Sequence, residues 1–236
     1  MEFFKYLDEI KEYESEPKVF KNVFTSKEID ILINHYKNLP DGAGGLRSYS
    51  KKQNVKKKLW EAGINKDLDS FYVKKLKKLL GKCRMDNRFS ENITEKNYYG
   101  LFQESFKPLN LHVDTGKNPE NIIYKQALIP LTSLSETILF EPRWYGPATS
   151  FSIDPKILNS KGYNERSSKH IGDEVFDKDL HKKYLTHEDI NNLTGLKIKF
   201  IYEWSSGDVF IFDRTFPHCS SNFKGKKIGL TSFFSK

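Results

Sequence analysis

The chain has 236 residues and a formal net charge of +8, a length at which one sizeable core can form without splitting into two domains. Its two cysteines, Cys83 and Cys219, exclude a disulfide framework and favour a reduced, cytoplasmic setting. No stretch reaches the roughly 18 apolar residues of a membrane-spanning helix, and the N-terminus lacks a secretory pattern. We therefore expect a single cytoplasmic domain spanning residues 1–236, with no membrane partner.

The first third of the chain, residues 1–95, is predicted to be a helical support. Thr25-Ser26-Lys27-Glu28 has the pattern of a capping box, which marks the start of a helix. The apolar stripe of this helix is formed by Ile29, Leu32, Ile33 and Tyr36. A second helix is predicted over residues 66–80, with lysines crowded on its polar side. We expect both helices to brace the outside of a sheet.

Residues 96–141 and 196–236 are predicted to form the β core. Short β-branched or aromatic runs with turns between them are typical of strands. The predicted strands cover residues 98–106, 109–115, 124–131, 137–140, 196–204, 209–212 and 228–234. Seven or eight short antiparallel strands with late-returning partners predict a double-stranded β-helix, the jelly roll of cupin-like proteins. The expected fold class is therefore mainly β, with a jelly-roll core and a helical N-terminal third.

Residues 142–195 interrupt this β pattern and are called the insert below. They are polar, lysine-rich and irregular, with a short helix predicted to start at Thr186-His187-Glu188-Asp189. A loop of this length inside a compact domain usually has a function or is mobile. Its position between two core strands favours a lid over the substrate, and a surface elaboration is the alternative.

Three residues form the candidate metal site: His112, Asp114 and His218. Residues i and i+2 of a strand point to the same side, so His112 and Asp114 can chelate one ion. Two imidazoles and one carboxylate leave half of an octahedral metal's positions open, which suits non-haem Fe(II). His-x-Asp alone is a weak signal, and the alternative is a strand-end histidine with a solvent-facing aspartate.

The C-terminal segment strengthens the metal interpretation. Nine residues after His218, Lys227 opens the last apolar strand. With His-x-Asp and a later histidine that follows a Gly-Asp strand, this basic residue completes a recognisable pattern. Over residues 96–142 and 196–235, the chain resembles the Fe(II)/2-oxoglutarate-dependent oxygenases, in the branch similar to phytanoyl-CoA and prolyl hydroxylases.

This resemblance implies a set of co-substrate contacts. Lys227 would bind the distal carboxylate of 2-oxoglutarate. Many members of the family have a serine or threonine two residues further on, where this chain has Gly229, so the second carboxylate contact stays unassigned. Asn222 stands where similar oxygenases often carry an asparagine near the co-substrate. Strand parity predicts three further side chains facing the same cavity: Tyr99, Gln103 and Lys125.

Three arginines are candidates for binding the substrate. Arg143 follows a predicted core strand, Arg214 lies four residues before His218, and Arg166 lies in the insert. Each guanidinium can clamp a carboxylate or phosphate in a planar fork. A salt bridge that only holds a loop is the alternative for Arg143 and Arg214.

The resemblance implies Fe(II), 2-oxoglutarate and O2 as the reagents and hydroxylation of a small molecule as the reaction, with release of succinate and CO2. Asp114 argues against halogenation, because halogenating relatives have a small residue at this position. The charge of +8 permits an anionic substrate, and it leaves open an oxygenase that acts on nucleic acid or on protein side chains. A non-catalytic jelly-roll binding module is a third interpretation, and the oligomeric state is left open.

Overall fold

The computed structural model describes residues 11–40, 49–50, 55–81, 83–86, 98–114, 125–145, 149–152, 163–164 and 172–235. The helices in these ranges are α1 (Ser26–Asn38), α2 (Lys66–Leu80), α3 (Lys178–Tyr184) and a 3-10 helix (Ile190–Leu193). The strands are β1 (Lys18–Phe20), β2 (Tyr49–Ser50), β3 (Val55–Glu61), β4 (Arg84–Asp86), β5 (Tyr98–Ser105), β6 (His112–Val113), β7 (Lys125–Pro130), β8 (Glu136–Glu141), β9 (Thr149–Phe151), β10 (Tyr163–Asn164), β11 (Lys197–Glu203), β12 (Val209–Asp213), β13 (His218–Ser220) and β14 (Lys227–Ser235). None of the described helices is long and apolar enough to cross a membrane.

The strands form two sheets. The larger sheet has the order β1-β12-β7-β14-β5-β3-β2, with β4 also paired to β14. The smaller sheet has the order β10-β9-β6-β13-β8-β11. All described pairs are antiparallel except β9 with β10. Because neighbours such as β7 and β14 are far apart in sequence, each sheet is assembled from distant segments of the chain.

An aromatic core fills the space between the sheets. Its buried members come from both sheets and are Leu128, Leu139, Tyr202, Trp204, Phe210, Phe212 and Phe216. Burying each such side chain contributes about 1.5–3 kcal/mol, so this layer is a main source of stability. A second core lies between the larger sheet and the helices α1 and α2, which bury Leu32, Tyr36, Tyr72 and Leu76.

The two predicted helices of the first third are confirmed, including the capping box. Thr25 accepts a hydrogen bond from the Glu28 backbone, and the Glu28 carboxylate accepts one from the Thr25 backbone. The description of this third as helical is incomplete, however, because it also supplies strands β1 to β4. β3 was not predicted because its run of lysines resembles a solvated segment. In the structure Lys58 is buried and donates to the Leu39 carbonyl at 2.6 Å.

The prediction that a helix starts at Thr186 is wrong. The insert's α-helix is α3, capped by the Asp177 carboxylate, and Asp189 caps the 3-10 helix. Thr186 does not cap a helix because its hydroxyl donates to the Asn222 side chain at 3.0 Å. The Thr186 side chain, which the local pattern predicted to cap a helix, is therefore used in a tertiary contact.

Candidate metal centre

His112, Asp114 and His218 converge on β6 and β13, two neighbouring strands inside the smaller sheet, with Asp114 directly after β6. β6 and β13 are antiparallel neighbours, with His112 directly opposite His218. The three side chains each offer one ligand atom, and these atoms all lie within 4.8 Å of one another. Asp114 bridges the pair, with a carboxylate oxygen 3.7 Å from His112 Nε2 and the other 3.4 Å from His218 Nε2.

Backbone carbonyls orient both imidazole rings. His112 Nδ1 lies 2.6 Å from the Asn110 carbonyl oxygen, and His218 Nδ1 lies 3.0 Å from that of Phe216. Since a carbonyl only accepts, each Nδ1 donates a proton, which leaves the Nε2 atom, on the side of Asp114, as the ring atom that can bind a metal. This is the arrangement in which a histidine binds a metal, with the other ring nitrogen held by a hydrogen bond.

The electrostatics of the triad also fit a cation. Burial, with the charge of His218 beside it, lowers the pKa of His112 to about 4, so its ring is neutral near pH 7. Burial alone would raise the pKa of Asp114, but His112 and His218 outweigh it and hold that pKa below the usual range. The Asp114 side chain is 37% exposed and that of His218 only 8%, so the triad opens to solvent on the aspartate side.

Lys57 is a member of this region that the sequence reasoning missed. Its positive charge lowers the pKa of both His112 and Asp114. In the larger sheet, Lys57 lies opposite Gln103, which in turn lies opposite Gly229. Directly paired residues share a face of a sheet, so Lys57, Gln103 and Gly229 lie on the same face of the larger sheet. Lys57 was missed because residues 1–95 were predicted to be a helical support.

Lys227 is buried beside the strand that carries His218. It is 2% exposed, and its ammonium donates to the Ser220 hydroxyl at 2.8 Å. The ammonium also lies 4.2 Å from the centre of the Trp204 ring. Burial lowers the pKa of Lys227 to about 7. Among the residues that the structure describes, this ammonium has no ion pair with a carboxylate, which is a costly state for a buried cation.

Gly229 is explained by the same tryptophan. A Cβ atom at this position would lie 2.7 Å from the Trp204 ring and 3.3 Å from Leu128, which is too close for a side chain. The hydroxyl expected two residues after Lys227 therefore has no space. Ser220 offers a hydroxyl to the same ammonium from the opposite sheet, and it lies two residues from His218 on the same face of β13.

Lys125 and Arg143 belong to a different cluster. Both contact Asp213, Lys125 at 3.0 Å and Arg143 at 2.9 Å. Ser15 adds its backbone and hydroxyl to the same carboxylate at 2.6 and 3.1 Å, and Thr215 accepts from Arg143 at 2.8 Å. These contacts favour the salt-bridge alternative for Arg143, and they turn Lys125 away from the cavity that parity predicted for it.

Tyr99 also lies elsewhere than expected, whereas the place of Asn222 near the co-substrate stays a prediction. Tyr99 packs on the helix-covered face, with its ring 6.0 Å from that of Trp60. The register of β3 and β5 shifts between Trp60 and Glu61, and such a bulge breaks the parity on which the prediction depended. The Asn222 side chain contacts the insert, accepting from Thr186 and lying 3.1 Å from His187 Nδ1.

Two arginines remain as predictions. Arg214 is 2% exposed, and burial lowers its pKa to about 10. Arg166 lies outside the described residues. The described end of the insert is packed: Phe176, Leu185 and Leu193 are buried in one cluster with Leu111 and Cys219.

No protein-family model matches the chain, and no curated protein matches it by sequence. Solved structures do resemble it. A 2OG-Fe(II) oxygenase family oxidoreductase from Burkholderia pseudomallei is 9% identical, with a TM-score of 0.50 over 99% of this chain and 89% of that one. HygX from Streptomyces hygroscopicus, solved with nickel, 2-oxoglutarate and hygromycin B, is 11% identical, with a TM-score of 0.50 over 98% and 86%.

The epimerase SnoN, solved with Fe3+, alpha ketoglutarate and a nogalamycin compound, is 10% identical, with a TM-score of 0.50 over 99% of this chain and 83% of that one. At such low identities, these likenesses show the fold alone. The chain therefore shares its fold with 2OG-Fe(II) oxygenase structures across nearly its whole length.

Proposed function

We propose that this protein is a non-haem Fe(II)- and 2-oxoglutarate-dependent dioxygenase with a double-stranded β-helix core. It hydroxylates a small-molecule substrate, and succinate and CO2 are released. The observation that carries the proposal is the combination of an open His-Asp-His triad with a buried lysine that has no ion pair with a carboxylate of the described residues. One face of β13 contributes to both features: His218 belongs to the triad, and Ser220 accepts a hydrogen bond from the lysine.

The donor set fits Fe(II). His112 and His218 present their Nε2 lone pairs towards Asp114, and two imidazoles with one carboxylate are the set that non-haem Fe(II) oxygenases use. When bound, Fe(II) and 2-oxoglutarate supply the O2 activation and the two-electron oxidation, which no side chain can supply. The protein contributes the orientation of the three ligands and one open side, where Asp114 is the most exposed of them.

Lys227 suits the distal carboxylate of 2-oxoglutarate. A carboxylate at its ammonium would form a charge-assisted hydrogen bond in a site that excludes water, and it would offset the cost of burying the cation. The Ser220 hydroxyl, already 2.8 Å from this ammonium, is the second contact that we propose in place of the hydroxyl missing at Gly229. Trp204 and Phe223 enclose the site, with ring centres 4.2 and 4.9 Å from the ammonium.

Hydroxylation is the reaction we propose, because Asp114 occupies a position that a small residue takes in halogenating relatives. The fold alone does not determine the reaction, since a protein described as an epimerase shares it. Lys57 supports an anionic small molecule as the substrate. Its charge acts on His112 and Asp114, so a negative group of the substrate would be attracted to the open side of the triad.

The test is anaerobic titration with Fe(II) and then 2-oxoglutarate, followed by a screen for succinate release over anionic small molecules, single-stranded nucleic acid and peptides. We expect one metal per chain, co-substrate binding that depends on the metal, and succinate release with an anionic small molecule. The Asp114→Ala variant is the control for background turnover. Stoichiometric turnover with nucleic acid alone would overturn the substrate proposal, and failure to bind metal would overturn the function.

A further inference from the structure

The insert holds the backbone that leads into His112. Glu188 is 5% exposed, and its carboxylate accepts a hydrogen bond from the Leu111 backbone N–H at 2.5 Å. The Leu111 carbonyl accepts from the Phe151 N–H at 3.0 Å, and Phe151 is also part of the insert. Both backbone groups of the residue before His112 are therefore bound by the insert.

Asn192 closes this arrangement into a ring of hydrogen bonds. Its side-chain amide donates to the second Glu188 oxygen at 3.0 Å and to the Phe151 carbonyl at 3.3 Å. The Glu188 carboxylate is thus fixed on one side by Asn192 and delivers its other oxygen to Leu111. A buried carboxylate that accepts two hydrogen bonds is held in one direction, because leaving either oxygen unpaired would be costly.

The same part of the insert also contacts the segment that follows β13, the strand of His218. The Asn222 backbone N–H donates to the Tyr184 carbonyl at 2.7 Å, and the Asn222 side chain contacts Thr186 and His187 at 3.0 and 3.1 Å. Residues 184–192 therefore touch the chain on both sides of the centre, one residue before His112 and four residues after His218. This is the geometry of a brace, not of a segment that lies over the substrate.

We infer that Glu188 is a positioning residue of the metal centre: it fixes the His112 strand through Leu111, and Asn192 holds its carboxylate in place. Because the Leu111 backbone is held at both its N–H and its carbonyl, the direction of the following Cα–Cβ bond is fixed, and with it the Nε2 of His112. This inference rests on the proposed function, since it assigns a role in metal binding to a residue that is not itself one of the three ligands.

The experiment compares Glu188→Ala, Glu188→Gln and Asn192→Ala with a matched control, Glu174→Ala. Glu174 is an acidic residue of the same insert whose carboxylate is exposed and pairs with Lys197. Two quantities are measured on folded protein: the affinity for Co(II) alone, with its visible absorption spectrum, and the hydrogen-exchange rate of the Leu111 amide in the metal-free state.

Loss of support around a metal ligand commonly weakens metal affinity by about 10–100-fold. We expect a loss of that size in Glu188→Ala, with a changed Co(II) spectrum and faster Leu111 exchange. Glu188→Gln should recover part of the affinity, because its amide oxygen can still accept from Leu111. Asn192→Ala should lie between Glu188→Gln and the wild type, and Glu174→Ala should match the wild type in both measurements.

Two results would overturn the inference: wild-type Co(II) affinity in both Glu188→Gln and Asn192→Ala, or unchanged Leu111 exchange in all Glu188 variants. If Glu188→Ala does not fold, Glu188→Gln and Asn192→Ala decide by the same criteria. The Asp114→Ala variant separates metal binding by the triad from positioning of the strand by Glu188. It should lose Co(II) binding but keep slow Leu111 exchange. A wild-type protein that binds no metal would refute the function, whereas the exchange data would still decide whether Glu188 holds the strand.

Discussion

Two clusters of similar composition behave in opposite ways in this molecule. Around Asp213, a buried carboxylate meets Lys125 and Arg143, and Ser15 completes its hydrogen bonds. Around Asp114, a carboxylate meets two imidazoles and opens to solvent. The first cluster pairs its charges internally, whereas the second directs the Nε2 atoms of both rings at one small space.

This difference is the basis on which we propose a structural role for the first cluster and a functional role for the second. A network whose charges are all paired gains stability from being closed and has no reason to bind anything else. A site that keeps its donor atoms directed at a shared space requires a ligand to complete it. Lys227 follows the second pattern, because within the described part of the chain its buried ammonium contacts a hydroxyl and two aromatic rings and no carboxylate.

The largest expected effect is on metal binding. Asp114→Ala should weaken Fe(II) or Co(II) binding by at least about 100-fold, because it removes a charged ligand from the set. Isothermal titration of the folded variant measures this loss. Asp213→Ala is the comparison variant and should keep near wild-type metal affinity where it is folded. Equal losses in the two variants would contradict the distinction between the clusters.

The second effect is on stability. Asp213→Ala should lower the free energy of unfolding by about 3–5 kcal/mol, because it removes the carboxylate shared by two partly buried cations, Lys125 and Arg143. Arg143 then keeps the ion pair with Glu14 at 3.6 Å. Urea denaturation of the metal-free protein gives the value. Asp114→Ala should change the metal-free stability much less, since its carboxylate is the more exposed of the two. A larger loss in Asp114→Ala would reverse the assignment.

The third effect is on co-substrate binding. Lys227→Ala should raise the dissociation constant of 2-oxoglutarate by two orders of magnitude or more, because removing one partner of a buried charge pair costs about 3–5 kcal/mol. Metal affinity should stay near the wild-type value. Lys226→Ala is the neighbouring control, since Lys226 is exposed and pairs with Glu104 at 3.0 Å. If only Lys226→Ala loses binding, the assigned lysine is wrong.

The smallest effect is a pH dependence. Burial lowers the pKa of Lys227 to about 7 in the ligand-free protein, and a bound carboxylate would raise it again. Binding of 2-oxoglutarate should therefore be strongest below pH 7 and should weaken as the pH rises from 7 to 9, by up to about tenfold per unit. Lys227→Arg stays charged throughout, so any binding it retains should be nearly independent of pH. A flat wild-type profile would contradict the lowered pKa.

Residues whose role depends on local spacing were predictable. The His-x-Asp pair needs only the two-residue period of a strand, and the alternating run that became β11 shows its own half-buried character. The capping box at Thr25 is complete within four residues. The identity of Lys227 came from the order of motifs along the chain, and the structure adds the physical reason, a buried ammonium beside the strand that carries His218.

Residues whose role depends on distant partners were not predictable. Parity placed Lys125 in the cavity, but Asp213 and Ser15, about 90 and 110 positions away in the chain, bind it elsewhere. Parity also failed for Tyr99, because a bulge between β3 and β5 shifts the register by one residue. Lys57 and Glu188 also depend on distant partners. They were missed because a charged residue in a lysine-rich or polar segment is usually solvated.

The sequence by itself determined the β-rich class, the strand that carries His112, and the donor types of the candidate metal site, because these follow from short-range periodicity and side-chain chemistry. Only the tertiary structure decided which of the described cations are paired with a carboxylate, and that Glu188 of the insert accepts a hydrogen bond from the backbone before His112. Pairing of that kind depends on long-range contacts, whose partners are fixed by how the two sheets pack and not by spacing along the chain.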